Sequence, residues 1–165
     1  MIDLKVRVDK DWPKRYEKQL MRRIPPIIRA GAQMVRDEAR RLAPVKTGAL
    51  KASIYAIWGG AQGGLGYERA SLAAAKRAAF GGYKYLHIGP PPVPQNAFEA
   101  YVVAGVHYAV FQEMGFRTRG GGFVAGKYFM SRAYINCLPI IRRMIQNAIR
   151  EAERTARKPG GLIFA

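Results

Sequence analysis

Apolar residues recur at steps of three and four along two long stretches, one near each end of the chain, and everything between must fold around that pair. In the first stretch Leu20, Ile24, Ile27, Gly31, Met34, Val35, Ala39 and Leu42 form the stripe, with Arg22, Arg23, Arg29, Arg36, Arg40 and Arg41 mostly between them. Such spacing predicts an amphipathic helix. Asp11 ahead of Trp12-Pro13 marks its start, where a proline N–H is not missed. Pro44 marks its end, with Leu42-Ala43 already leaving helical geometry. Pro25-Pro26 removes two donors from the ladder, so the helix is expected in two pieces, kinked or broken there. In the second stretch Tyr134, Leu138, Ile141, Ile145, Ala148, Ile149 and Ala152 form the stripe, and Arg142, Arg143, Arg150, Arg154, Arg157 and Lys158 line the other faces. Pro139 should kink this helix or define its first turn, and Lys158-Pro159-Gly160-Gly161 stops it.

The intervening chain reads mainly as strands. Residues 2–8 alternate, with Ile2, Leu4, Val6 and Val8 apolar, which is the period of a strand with one face covered. Ala49 to Trp58, Tyr83 to Ile88 and Phe98 to Val103 carry β-branched and aromatic residues and predict three more strands. The fold class is therefore α+β, with long N-terminal and C-terminal helices packed on a small, largely antiparallel sheet. At 165 residues there is room for one domain, taken as 1–158, followed by a tail, 159–165. A Gly/Ala-rich insertion, 59–82, reads as a flexible arm, and Gly115 to Gly126 as a second flexible loop that carries Arg117 and Arg119. Leu162-Ile163-Phe164-Ala165 is an apolar tail that a neighbouring subunit is better placed to bury than the domain itself.

Charge is the outlying part of the composition. Lys and Arg number 28 against 11 Asp and Glu, a formal net charge of +17. That excess favours encounter with polyanions, DNA first, then an acidic protein surface, then an anionic membrane. Solvated helix faces account for many of the individual cations but less well for the imbalance. The terminal helix lacks the bulky aromatics of a membrane-surface helix, and no apolar run approaches the ~20 residues of a spanning one. The N-terminal residues lack a signal-peptide layout, so synthesis in a reducing cytoplasm is expected. Cys137, the single cysteine, sits among Ile135, Leu138 and Ile140 and reads as a buried thiol.

Catalytic chemistry finds little footing. His87 and His107 have no Cys, Asp or Glu at metal-ligand spacing, and phosphate-binding and nucleophile-elbow motifs are missing. A hydrolase would have to recruit one of those two histidines. Asp37-Glu38 and Glu151 with Glu153 lie within basic helices, where pairing to arginine neighbours is the default. No enzyme activity, metal or cofactor is expected. Tyr83-Lys84-Tyr85 and Phe116-Arg117-Thr118-Arg119 interleave cations with aromatics, as stacking platforms for single strands do, but no sequence-reading motif accompanies them.

Three blocks, in order, carry a family likeness. Ala39-Arg40-Arg41-Leu42-Ala43-Pro44-Val45-Lys46-Thr47-Gly48-Ala49-Leu50-Lys51-Ala52-Ser53-Ile54 resembles the segment that follows the first helix in neck and tail-completion proteins of long-tailed phages. Val106-His107-Tyr108-Ala109-Val110-Phe111-Gln112-Glu113-Met114-Gly115 is similar to their second block. Tyr128-Phe129-Met130-Ser131-Arg132-Ala133 takes the place of an aromatic-centred motif before the last helix, with Tyr128 and Ser131 where prolines are usual. Lys46 stands where an acidic residue is common, and Phe116 where a threonine is. The residues carrying the likeness are Pro44, Thr47, Gly48, Leu50, Ser53, Ile54, Tyr108, Ala109, Glu113, Gly115 and Phe129, all read as setting the fold. Gly48 would supply a positive φ after Pro44, Leu50 and Ile54 would enter the core, and Tyr108, Phe111 and Met114 would face it from a short helix.

The resemblance implies a structural virion protein of the phage head–tail junction, made in the bacterial host. Its working form would be a homo-oligomeric ring that completes the tail or joins it to the capsid connector around the DNA channel. Its partners would be neighbouring connector and tail-tube or tail-terminator proteins. The glycine-rich arm and the Leu162–Ala165 tail are natural pieces for reaching the next subunit. Arg117 and Arg119 are candidate contacts to genomic DNA in the channel or to an acidic partner. The rival is a free, non-specific nucleic-acid-binding basic protein.

Overall fold

Helix-forming residues and a proline at its second position start α1 at Trp12, and it runs unbroken to Leu42. The computed structural model describes residues 11–46, 48–59, 65–67 and 94–157. The strands expected at 2–8 and 83–88, the tail, His87 and Thr47 lie outside the described residues. Ala43 leaves the helix with φ −62° and ψ 133°, as Pro44 demands of its predecessor, while its N–H still bonds the Ala39 carbonyl at 2.8 Å. The expected division at Pro25-Pro26 is corrected: both prolines lie inside one helix. The carbonyls robbed of donors belong to Met21 and Arg22, both on the exposed side of the helix, where solvent can supply donors. A proline φ near −65° is itself helical, and contacts to the partner helix on both sides of the step hold the axis together.

That partner is the C-terminal helix α4, Phe129–Arg157, which lies antiparallel to α1. Arg15 Nε donates to the Ala156 carbonyl at 3.3 Å, Arg23 Nη2 to Thr155 Oγ1 at 3.3 Å, and Asn136 Nδ2 to Glu38 Oε1 at 2.9 Å. Small residues line much of the seam: Ala32 and Ala39 from α1, Ala133, Ala148, Ala152 and Ala156 from α4. Gly31 belongs with them, since a Cβ there would sit 3.1 Å from Ile141 Cδ1. Small side chains let helices pack at the close end of the usual ~8–10 Å separation. The expected α4 stripe is rotated in part: Ala148 and Ala152 are buried, but Tyr134 and Ile149 are exposed, and Ala133, Cys137 and Ala156 take the inner face. Pro139 is exposed ten residues inside the helix, which therefore starts earlier than Pro139 suggested.

The sheet packs against α1. Its order is β2-β1-β3, with β1 Ile54–Gly59, β2 Leu65–Tyr67 and β3 Ala100–Ala104, antiparallel throughout. β1 is central and its first four residues are buried. Part of the segment read as an arm is thus a paired strand, Leu65–Tyr67. The strand expected from Ala49 begins only at Ile54: Ala49–Ser53 is a helical turn, α2, entered through Gly48 at φ 79° and closed by Ser53 Oγ donating to the Leu50 carbonyl at 2.7 Å. Ala-Leu-Lys-Ala favours a helix over a strand once a left-handed glycine has turned the chain.

After β3, the short helix α3, Ala109–Met114, leads into β4, Gly115–Arg117, which pairs with β5, Phe123–Ala125. The glycine-rich segment 115–126, read as a flexible loop, is instead a β-hairpin. Thr118 N–H bonds the Gly122 carbonyl at 2.7 Å across its turn. Its glycines mark close approach: a Cβ on Gly115 would lie 2.4 Å from the Val124 carbonyl oxygen, and one on Gly126 2.2 Å from that of Glu113. Val35, Ala39, Leu50, Ile54, Ala109, Phe129, Ala133 and Cys137 form the core, joining both helices, α2, α3 and β1. Phe129, 0% exposed, is the largest fully buried side chain among the described residues.

Candidate functional site

The first two motif blocks, about sixty residues apart in sequence, form the two walls of one groove. Pro44, Val45, Lys46, Gly48 and Leu50 make one wall, and Tyr108, Phe111, Gln112, Phe116 and Arg117 the other. Its volume is about 610 Å³, within the ~300–1,000 Å³ range of sites that enclose a ligand. Gly48 in its left-handed conformation swings the chain so that Leu50, buried, anchors the base while Val45 stays 68% exposed. Across from it Phe111, 49% exposed, stacks edge-to-face on Phe116 with centroids 6.2 Å apart. Tyr108, half-buried, carries the His107 ring edge-on at 5.5 Å. Phe111 and Met114, expected to enter the core, are exposed instead, and Ala109 is the residue of α3 that is buried. A six-residue helix beside a hairpin has room to bury only its smallest face.

Both charged residues among the described lining residues, Lys46 and Arg117, are cations. Arg119 lies in the exposed turn of the hairpin, away from the groove walls, and Phe123 beyond it is 66% exposed. The groove's walls offer apolar burial at the centre and positive charge at the edge.

A carboxylate holds the second wall in place. Glu113 accepts from the Met130 and Ser131 N–H groups, each at 2.9 Å, and from Ser131 Oγ at 2.6 Å. These are donors that the first turn of α4 cannot satisfy internally, so Glu113 caps that helix from the end of α3. The Lys127 and Tyr128 N–H groups complete the joint by bonding the Gln112 and Glu113 carbonyls at 2.7 and 3.1 Å. Tyr128 has φ 51°, which a proline could not adopt. Gly115, at φ 86°, makes the reversal into β4. Sequence spacing gave Glu113 only a place at a helix end; its partners lie 17 and 18 residues on, beyond any local capping pattern.

Many of the cations have partners within the chain, Arg40 in the interior and others at the surface. Arg40 directs Nε and Nη2 to the Ile54 carbonyl at 3.0 and 2.6 Å, and Arg29 lies 4.6 Å over the Trp58 ring. Burial and nearby Arg36 lower the pKa of Arg40. Arg36 pairs with Asp37 at 2.7 Å, Arg41 with Glu38 at 2.7 Å, Arg154 with Glu151 at 2.8 Å, and Arg157 with Glu153. Hydrogen bonds from Arg41 and then Asn136 hold the Glu38 carboxyl at about 2, against an ordinary 4.5. Cys137 is buried, and desolvation raises its thiol pKa. Among the described residues no group of three His, Cys, Asp or Glu stands ready for a metal ion, and no helix is long and apolar enough to cross a membrane.

The family model described as "Bacteriophage HK97-gp10, putative tail-component" matches residues 13–115. The chain belongs to the HK97-gp10-like family. No curated protein and no solved structure matched it. The matched segment contains α1, the first groove wall, β1 to β3 and α3, while β4, the hairpin turn and α4 lie beyond it. As a member of the HK97-gp10-like family the chain is a structural component of a bacteriophage tail, belonging in the virion among other virion proteins.

Proposed function

We propose that this tail component acts at the head–tail junction, as one subunit of a ring that completes the tail or joins it to the capsid connector around the DNA channel. The observation that carries this reading is the groove: an apolar cleft built from both family blocks, left open by the described residues and edged by cations. Structural proteins expose contiguous apolar surface where another chain covers it. A ring needs one patch on each subunit to meet a different patch on the next, with a rotation that closes. Pro44, Gly48, Leu50, Ser53, Ile54, Tyr108, Ala109, Glu113, Gly115 and Phe129 shape the groove and its supports. Arg117 at its edge and Arg119 in the hairpin turn would meet DNA phosphates or an acidic neighbouring ring.

Immuno-gold labelling of purified phage particles tests this. A single cluster of label at the head–tail junction is expected. Label along the tail or at its distal tip, or absence of the chain from particles, would overturn the placement. A free DNA-binding role is favoured by one feature, the exposed Arg132, Arg143 and Arg150 on a common face of α4. It requires tight DNA binding by the isolated chain with a steep salt slope, whereas a ring subunit binds weakly before it assembles.

A further inference from the structure

We infer that the groove between the Pro44–Leu50 loop and α3 receives the apolar segment Leu162–Ala165 of a second copy of this chain. The inference rests on the groove being an assembly surface, and names what fills it. Three observations lead to this occupant.

The first is chemical fit. Val45, Leu50, Phe111 and Phe116 present an apolar cleft of about 610 Å³, and Leu162-Ile163-Phe164 supplies three adjoining large apolar side chains. Burying such side chains away from water favours the contact. The second is attachment. The segment follows Lys158-Pro159-Gly160-Gly161, a sequence that ends a helix and leaves the next residues free to extend.

The third is reach, and it decides which copy supplies the segment. Because α1 and α4 are antiparallel, the C-terminus of α4 lies beside the start of α1, with Ala156 bonded to Arg15. The groove begins at Pro44, just past the other end of α1. From Arg15 to Leu42 the helix spans roughly 40 Å at 1.5 Å per residue. Residues 158–165, fully extended, cover at most roughly 28 Å, and Leu162 itself less than roughly 20 Å. A subunit therefore cannot fill its own groove with its own tail. With the donor at one end of the helix pair and the acceptor at the other, passing each tail to the next subunit in turn generates a closed ring or an open filament, and the ladder of multimers tested below separates these from an antiparallel pair that exchanges tails, which stops at a dimer.

The test places thiols on both sides of the contact in the full chain. Particles are assembled with a Val45→Cys, Phe164→Cys double variant, oxidised, and run on a non-reducing gel. Buried Cys137 is left unchanged. The expected result is loss of the monomer band to a ladder of covalent multimers, with neither single variant giving one. An internally bridged monomer, or a monomer with both thiols free, overturns the inference. The same particles, labelled with antibody, separate this from the junction reading: label at the junction without a ladder removes the tail contact alone, and no label at the junction removes the placement. Should the double variant not enter particles, a fluorescent peptide of residues 158–165 is titrated into the purified full chain. Saturable binding, weakened at least about tenfold by Val45→Asp, supports the contact, and no binding overturns it.

Discussion

The helix pair and the motif corner solve the same problem in opposite ways. Along the α1–α4 seam the buried large residues are few and the alanines many, so two helices close on each other, while Tyr134, Ile135 and Ile140 face outward from α4 and a second apolar cleft lies between the helix pair and β3. At the corner made by the Pro44–Leu50 loop, α3 and the hairpin, large side chains are plentiful but stand outward: Val45, Phe111, Met114 and Phe123 are all exposed. One region spends its hydrophobicity on folding. The other withholds it, held open by a turn glycine, a remote carboxylate cap and two close backbone approaches.

Substitutions can break this contrast, beginning with the residue that ties the two regions together. Phe129→Ala removes a large, fully buried side chain and should cost about 3–5 kcal/mol, read as a fall in the denaturation midpoint. Gly115→Ala forces a Cβ against the Val124 carbonyl at a positive φ and should cost about 2 kcal/mol or more by the same measurement. Glu113→Ala leaves α4 uncapped at an expected cost of about 1 kcal/mol, with amide exchange rising first at Met130 and Ser131. Glu38 gives a pH-dependent effect on the helix pair. Its folded pKa is depressed to about 2, so the stability it contributes is complete above about 4.5 and is lost as pH falls toward 2. The melting-temperature deficit of Glu38→Gln should therefore be seen at neutral pH and shrink through that window. Val45→Asp sharpens the contrast from the other side: stability should change by no more than about 0.5 kcal/mol, while entry into particles is lost.

Much of the helix pair was legible because a stripe at steps of three and four needs no knowledge of the partner. Pro25-Pro26 misled because local rules count the two lost bonds and not the packing that continues past them. The same limit explains the hairpin. Five glycines between 115 and 126 read as looseness, whereas at Gly115 and Gly126 they permit backbone contact too close for any Cβ. Ala49–Ser53 looks like strand because the β-prone run Ile54 to Trp58 follows it directly; the left-handed turn at Gly48 instead starts a helical turn that ends at Ser53, where the strand begins. The groove was hidden for a different reason. Each wall was visible as a motif, but nothing in either block says that Val45 and Phe111 stand on the two walls of one cleft.

The antiparallel meeting of Arg15 with Ala156 also sets a timetable for synthesis. α1 emerges from the ribosome first and α4 last, and at roughly 5–20 residues per second the wait is on the order of ten seconds. Throughout that interval the inner face of α1 has no α4 to cover it, so a nascent chain is at its most vulnerable to aggregation and proteolysis before translation passes Ala156. A chain that stops short of Ala156 has a first helix without its partner, and a truncation there should fold far less stably than the full chain.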